Sequence, residues 1–264
     1  MCAMNPRLLR PLASGFNPRQ IAGLELWLDA QDGTTLFDSD TGGSQVAPDG
    51  SVGRWVDKSG KGRNATQDVA NNRPVLKTAV VNGRNILRFD GSNDFLKGDV
   101  SSSDLSFPYT LFAVYQSADA AGSIAGFNLN ATSFITENVR KSAANTLQGI
   151  QQNATSTAEA TVTAADASWH VAELVFTGTS SSLTYTVRVN GGATGNMATP
   201  RQRNTGPNSR RLQIGNSVSS VDGNLDPLAG DIAEIIGYGR TLSAGELSRV
   251  RQYLGRRYGI TVTA

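Results

Sequence analysis

The chain has 264 residues, a formal net charge of +2, 28 glycines, one histidine and one cysteine. Its length allows a substantial core, and the near balance of charge gives no bulk attraction to nucleic acid. The lone Cys2 excludes an internal disulfide framework and a multi-cysteine metal site, and no run is apolar for long enough to cross a bilayer. Abundant Gly, Ser, Thr and Asn supply turn chemistry for many short strands, which fits one all-β domain.

In chain order, residues 1–20 carry Pro6, Pro11 and Pro18 with Arg7, Arg10 and Arg19 and no acid. Proline removes backbone donors and disfavours helix, so this stretch reads as an extended arm. No ordinary secretory signal is legible there, and synthesis in a cytoplasm is expected. The three Asn-Ala-Thr sequons, at Asn64, Asn130 and Asn153, are then expected to stay unmodified. Next, Leu24, Leu26 and Leu28 alternate with Glu25, Trp27 and Asp29, which predicts a strand with the leucines on one face. Trp55 to Asp57 begins another strand, and Asp57-Lys58-Ser59-Gly60 is a turn cluster. Phe89 to Phe95 reads as strand, tight turn and strand. Its Asp90, Asn93 and Asp94 can offer oxygen ligands to calcium, or bond their own turn backbone.

Residues 107–116 form a strongly β-prone run with apolar side chains on both faces, so a central, doubly covered strand is expected. From 117 to 165 the chain turns small and polar, and no alternation fixes a strand register. A variable binding surface is expected there or at 196–211. Two further strands follow at 171–176 and 183–189. Arg201, Arg203, Arg210 and Arg211 then make a basic stretch without an acid. Near the end, Ile232, Ile235 and Ile236 mark a buried strand, and Ser243 and Glu246 have the spacing of a capping box. Leu247, Val250 and Leu254 give a helical stripe near 244–257, with Gly259 placed to cap it.

The run Gly230 to Leu247, with its Arg240-Thr241-Leu242-Ser243-Ala244-Gly245-Glu246 corner, resembles the closing strand and helix of concanavalin A-like, laminin-G-like jelly-roll domains. Leu26 to Ala30, Trp55 to Gly60, Leu87 to Leu96, Tyr185 to Gly191 and Leu212 to Gly215 follow the same order. The resemblance spans about residues 21–260. It implies a β-sandwich of two antiparallel sheets over 21–264, preceded by the arm and closed by one short helix. Pro11 to Ala30 also resembles the opening of jelly-roll proteins among bacteriophage structural genes.

The leading expectation from these resemblances is a non-enzymatic virion component, a head decoration or tail-fibre protein that forms a homo-oligomer. Arg7, Arg10, Phe16, Arg19, Arg201, Arg203, Arg210 and Arg211 would then bind neighbouring virion subunits. The alternative is a carbohydrate-binding module for host glycans, with Trp27 or Trp55 as an aromatic platform. A glycan hydrolase needs two close carboxylates, and Glu25, Asp29 and Glu234 are the nearest to such a set. Asp231 and Glu234, three apart, fall on opposite faces of an ideal strand. His170, the sole histidine, precedes an apolar strand and reads as a packing residue.

Overall fold

The computed structural model describes residues 15–98, 108–129, 136–153, 156–179, 182–197, 210–217 and 226–264. Its strands are β1 (Leu24–Asp29), β2 (Leu36–Phe37), β3 (Arg54–Trp55), β4 (Ala65–Thr66), β5 (Val75–Val81), β6 (Arg84–Asp90), β7 (Leu96–Gly98), β8 (Thr110–Ser117) and β9 (Gly122–Leu129). They continue as β10 (Thr136–Ala143), β11 (Thr146–Asn153), β12 (Ser156–Thr163), β13 (His170–Thr179), β14 (Ser182–Val189), β15 (Thr194–Asn196), β16 (Arg210–Ile214) and β17 (Ala229–Tyr238), and helix α1 (Ala244–Tyr258) follows. The strands form two antiparallel sheets. One runs β15-β14-β13-β8-β17-β6-β5, with β1 also on β17, and the other runs β12-β11-β10-β9-β16-β7-β4-β3-β2. This is the expected β-sandwich with one C-terminal helix. Among the described residues no helix is long and apolar enough to cross a membrane.

Side-chain alternation along β8 shows how the layers are made. Leu111, Ala113 and Tyr115 join the core between the sheets, together with Leu26, Leu28, Phe89, Phe127, Tyr185 and Ile235. Phe112 and Val114 point the other way, into a second core where Trp27, Val171, Ile236 and Tyr238 meet Leu247, Val250, Leu254 and Tyr258 of α1. The eight-stranded sheet is therefore covered on both faces, by the second sheet and by α1. Leu24 departs from the predicted alternation. A register shift between Leu24 and Leu26 turns it to the helix side.

The helix begins as its residues dictate. Ser243 and Glu246 close a reciprocal capping box, and Gly259 ends the helix at φ 69°, a left-handed conformation that glycine adopts without a Cβ penalty. Arg240 grips the Glu246 carboxylate with Nη1 at 2.9 Å and Nη2 at 2.5 Å, and its Nε donates to the Ala22 carbonyl at 2.9 Å. These contacts with Arg240 hold the Glu246 carboxyl down at about 2. Ser243→Ala removes the acceptor for an orphan helix donor and is expected to cost about 1 kcal/mol, measured as a lower urea midpoint at unchanged slope.

Residues 15–20 fold back on this same side. Phe16 meets Tyr253 edge to face at 5.5 Å, and the Tyr238 hydroxyl donates to the Pro18 carbonyl at 3.0 Å. Arg19 donates to the Lys58 carbonyl.

Candidate functional site

Two polar assemblies stand out among the described residues. The first lies between the eight-stranded sheet and α1. A bulge in β17 between Ile232 and Glu234 adds a residue relative to β8. It brings Asp231 and Glu234 to the same outer face, which corrects the opposite-face expectation for an ideal strand. Asp231 is taken by Arg88 through two contacts of 2.8 and 2.9 Å. Glu234 sits opposite Asp29 across the β1–β17 ladder.

Around this carboxylate pair the geometry is closed. Glu234 is 0% exposed and accepts from Trp27 Nε1 at 2.7 Å, Tyr253 Oη at 3.0 Å and Tyr258 Oη at 2.8 Å. Arg257 donates to both oxygens of Asp29, at 2.8 and 2.9 Å, and its Nε lies 3.3 Å from Glu234 Oε2. Lys58 bridges Asp29 at 3.0 Å and Asp32 at 2.7 Å. Burial pushes the Glu234 carboxyl up to about 7, with Asp29 adding to the rise and Arg257 opposing it. Such a carboxyl could exchange protons near neutrality, but no substrate can reach it beneath α1. Glu25 lies apart, paired with Lys61 at 3.5 Å and Arg63 at 3.0 Å. The Asp29–Glu234 pair thus clasps the helix onto the sheet.

The other sequence-derived sites are rearranged as well. Trp27 is 6% exposed, with its indole N–H held by Glu234. Trp55 is 0% exposed within the inter-sheet core, so neither presents a ring to a ligand. Their alternation suits packing as well as display, and packing takes both. Asp90 Oδ1 accepts from the Ser92 and Asn93 amides at 2.8 and 3.2 Å, and Asp94 Oδ2 accepts from the Asp90 amide at 3.1 Å. The turn backbone therefore uses one carboxylate oxygen of each acid, the self-bonding alternative that the sequence offered beside calcium. Among the described residues no group of three or more His, Cys, Asp or Glu is placed to hold a metal. Phe16 and Arg19 contact their own sandwich. Cys2, Arg7, Arg10, Arg201 and Arg203 lie outside the described residues, and Arg210 is described only as backbone of β16. His170 packs on Tyr115 and bonds the Ala165 carbonyl at 2.8 Å; burial lowers its pKa.

The second assembly is the outer face of the nine-stranded sheet. Ala125, Phe127, Val139, Leu147, Leu212 and Ile214 point inward. Their alternates point outward, and the ladder sets them in rows. Gln213, Gly126, Asn138, Ile150 and Glu159 share one row, and Ser123, Arg140, Gln148 and Thr161 share the next. A Cβ at Gly126 would lie 2.2 Å from Asn138 Cβ, so only glycine lets β9 and β10 approach this closely. Asn138 Nδ2 donates to Ser123 Oγ at 2.8 Å, and Arg140 Nε donates to Gln148 Oε1 at 2.7 Å. Asp226 ion-pairs with Arg140 at 3.3 Å and accepts from Ser123 Oγ at 3.4 Å, while its amide donates to Asn216 Oδ1 at 3.2 Å.

This face is polar yet largely withdrawn from water. Ser123, Asn138, Gln148, Gln213, Asn216 and Asp226 are all buried. Burial raises the Asp226 carboxyl above its usual range, against the opposing charge of Arg140. Asn138, 3% exposed, keeps a buried Oδ1 without a hydrogen-bond partner among the described residues. Amides, a carboxylate and a guanidinium converging on one plane offer paired donors and acceptors, the chemistry that adjacent hydroxyls require. Sequence reasoning marked 117–165 as a place for a binding surface but named none of these residues, since it could not assign their register.

The fold defines a jelly-roll-like β-sandwich of two antiparallel sheets. No family model matches the chain, and no curated protein matches it. Among solved structures, it is similar to the Trypanosoma rangeli sialidase in complex with sialic acid, at 13% identity and TM-score 0.52, over 92% of this chain and 34% of that one. A GH54 α-L-arabinofuranosidase matches at 11% identity and TM-score 0.60, over 92% of this chain and 66% of that one. The botulinum neurotoxin serotype D binding domain matches at 12% identity and TM-score 0.52, over 89% and 51%. The chain therefore spans about a third of the sialidase chains it resembles. At these identities the likeness shows the fold alone. It still overturns the expectation of a non-enzyme, because glycoside hydrolases share this scaffold.

Proposed function

We propose that the chain binds carbohydrate on the outer face of the nine-stranded sheet. The observation that carries this reading is the polar array of buried Ser123, Asn138 and Gln148 with half-buried Arg140, all on strands, completed by buried Asp226 from the connection that leads into β17. Asp226 and Arg140 orient each other. A pyranose laid on this plane would exchange its hydration for their bidentate contacts. The solved neighbours support the reading, since one is a sialidase in complex with sialic acid and another a neurotoxin ligand-binding domain in complex with N-acetylneuraminic acid.

A glycan microarray probed with the purified chain tests it. Asp226→Asn keeps the shape but removes the charge that fixes Arg140, and is expected to weaken binding about 10-fold to 100-fold with the thermal midpoint little changed. A native chain that binds no glycan, or an Asp226→Asn chain that binds as well as native, would refute the site. Release of reducing sugar from each bound glycan, followed in the same samples, distinguishes binding alone from turnover. A phage virion setting, in which such a module would meet host-surface glycans, rests on the N-terminal resemblance.

A further inference from the structure

Building on that carbohydrate reading, we infer that the preferred ligand is an acidic sugar and that Arg211 receives its carboxylate. Leu212 and Ile214 point into the inter-sheet core, so Arg211 and Gln213 project from the outer face. The other cations of this face are already engaged. Arg140 pairs with Asp226, Lys97 with Asp68 at 2.8 Å, and Arg54 donates to the Gly42 carbonyl at 2.7 Å and stacks on Phe37 at 4.4 Å. Arg211 differs. Its Nε is buried with no hydrogen-bond partner, as is Arg54 Nε, but unlike Arg54 its guanidinium has no carboxylate, carbonyl or aromatic partner among the described residues.

A buried Nε–H without an acceptor is costly even though the side chain is only half-buried, and a planar carboxylate answers the guanidinium edge with two parallel bonds. Another unpartnered buried atom of this face, Asn138 Oδ1, lies two strands away in the adjacent row, about 10 Å across the sheet and about 7 Å along it. One asks for an anion and the other for a donor, and they are far enough apart to address different parts of one ligand. A sugar that carries a carboxylate and hydroxyl groups supplies both. Lysine would satisfy the charge at position 211 but not the fork geometry.

The test is titration calorimetry of the full chain with matched pairs, a sialylated and a uronic-acid oligosaccharide each beside its neutral counterpart. The acidic member of at least one pair is expected to bind roughly 10-fold to 100-fold more tightly. Arg211→Ala should erase that preference while leaving neutral-sugar affinity unchanged, and Arg211→Lys should retain part of it. Equal binding of acidic and neutral sugars, lost on Asp226→Asn, would overturn this inference and leave the carbohydrate site standing. Persistence of the acidic preference in a folded Arg211→Ala chain would also overturn it. Binding of neither class would overturn both.

Discussion

Arg257→Ala is expected to destabilise the chain by about 3–5 kcal/mol, because it strips the shared cation from two buried carboxylates. Arg257 reaches both oxygens of Asp29 and ion-pairs with Glu234, which is fully buried beneath α1. Lys58 would still serve Asp29, but Glu234 would retain only the neutral donors Trp27, Tyr253 and Tyr258. The pH dependence gives the same cluster a signature. The Glu234 carboxyl titrates at about 7 in the fold against an ordinary 4.5, so within that window the folded state holds the extra proton. Its contribution to stability is complete below the lower value and is lost as pH rises through the upper one. Asp94, also pushed up to about 7 by burial and by Asp90, acts with the same sign. Thermal midpoints should therefore fall between about pH 5 and about pH 8, and Glu234→Gln should flatten that slope. A slope unchanged in Glu234→Gln would show that the carboxyl is not the titrating group.

Trp55→Ala should cost about 3–5 kcal/mol, since it empties a large side chain from a close-packed interior. The result separates two roles for the same residue. A platform tryptophan would lose binding with stability preserved, whereas a core tryptophan loses stability first. Trp55→Phe keeps most of the volume and is expected to fold and to bind glycan as the native chain does. Trp55 is 0% exposed between Leu36 and Ala65 in the ladder, which is why packing governs the outcome.

How far the residues announced these features depends on whether their pattern was local. The closing helix was legible because Ser243, Glu246 and Gly259 act within one turn of their neighbours. β8 was legible because both its faces are apolar. The outer face of the nine-stranded sheet was not, because its inward positions are charged too. Glu137 is buried inward beside the Tyr109 hydroxyl at 3.3 Å, and Lys141 is buried inward against Asp166. With polar side chains on both sides of β10, alternation carried no sign and register could not be assigned. The bulges at Leu24 and Glu234 were hidden for a related reason: each depends on a partner strand far along the chain, roughly one to two hundred residues away.

Residues 15–20 dock beside α1, and the Thr263 amide returns to the Asn190 carbonyl at 2.8 Å, so both approaches to the fold enter from the helix side. The amide-lined face lies beyond both sheets, on the far side of a sandwich whose layers are spaced by about 10 Å. A tag, tether or fused body joined after Ala264 would therefore sit on the reverse of the molecule. Immobilised that way on a sensor chip, every copy would turn the same polar plane toward the solution.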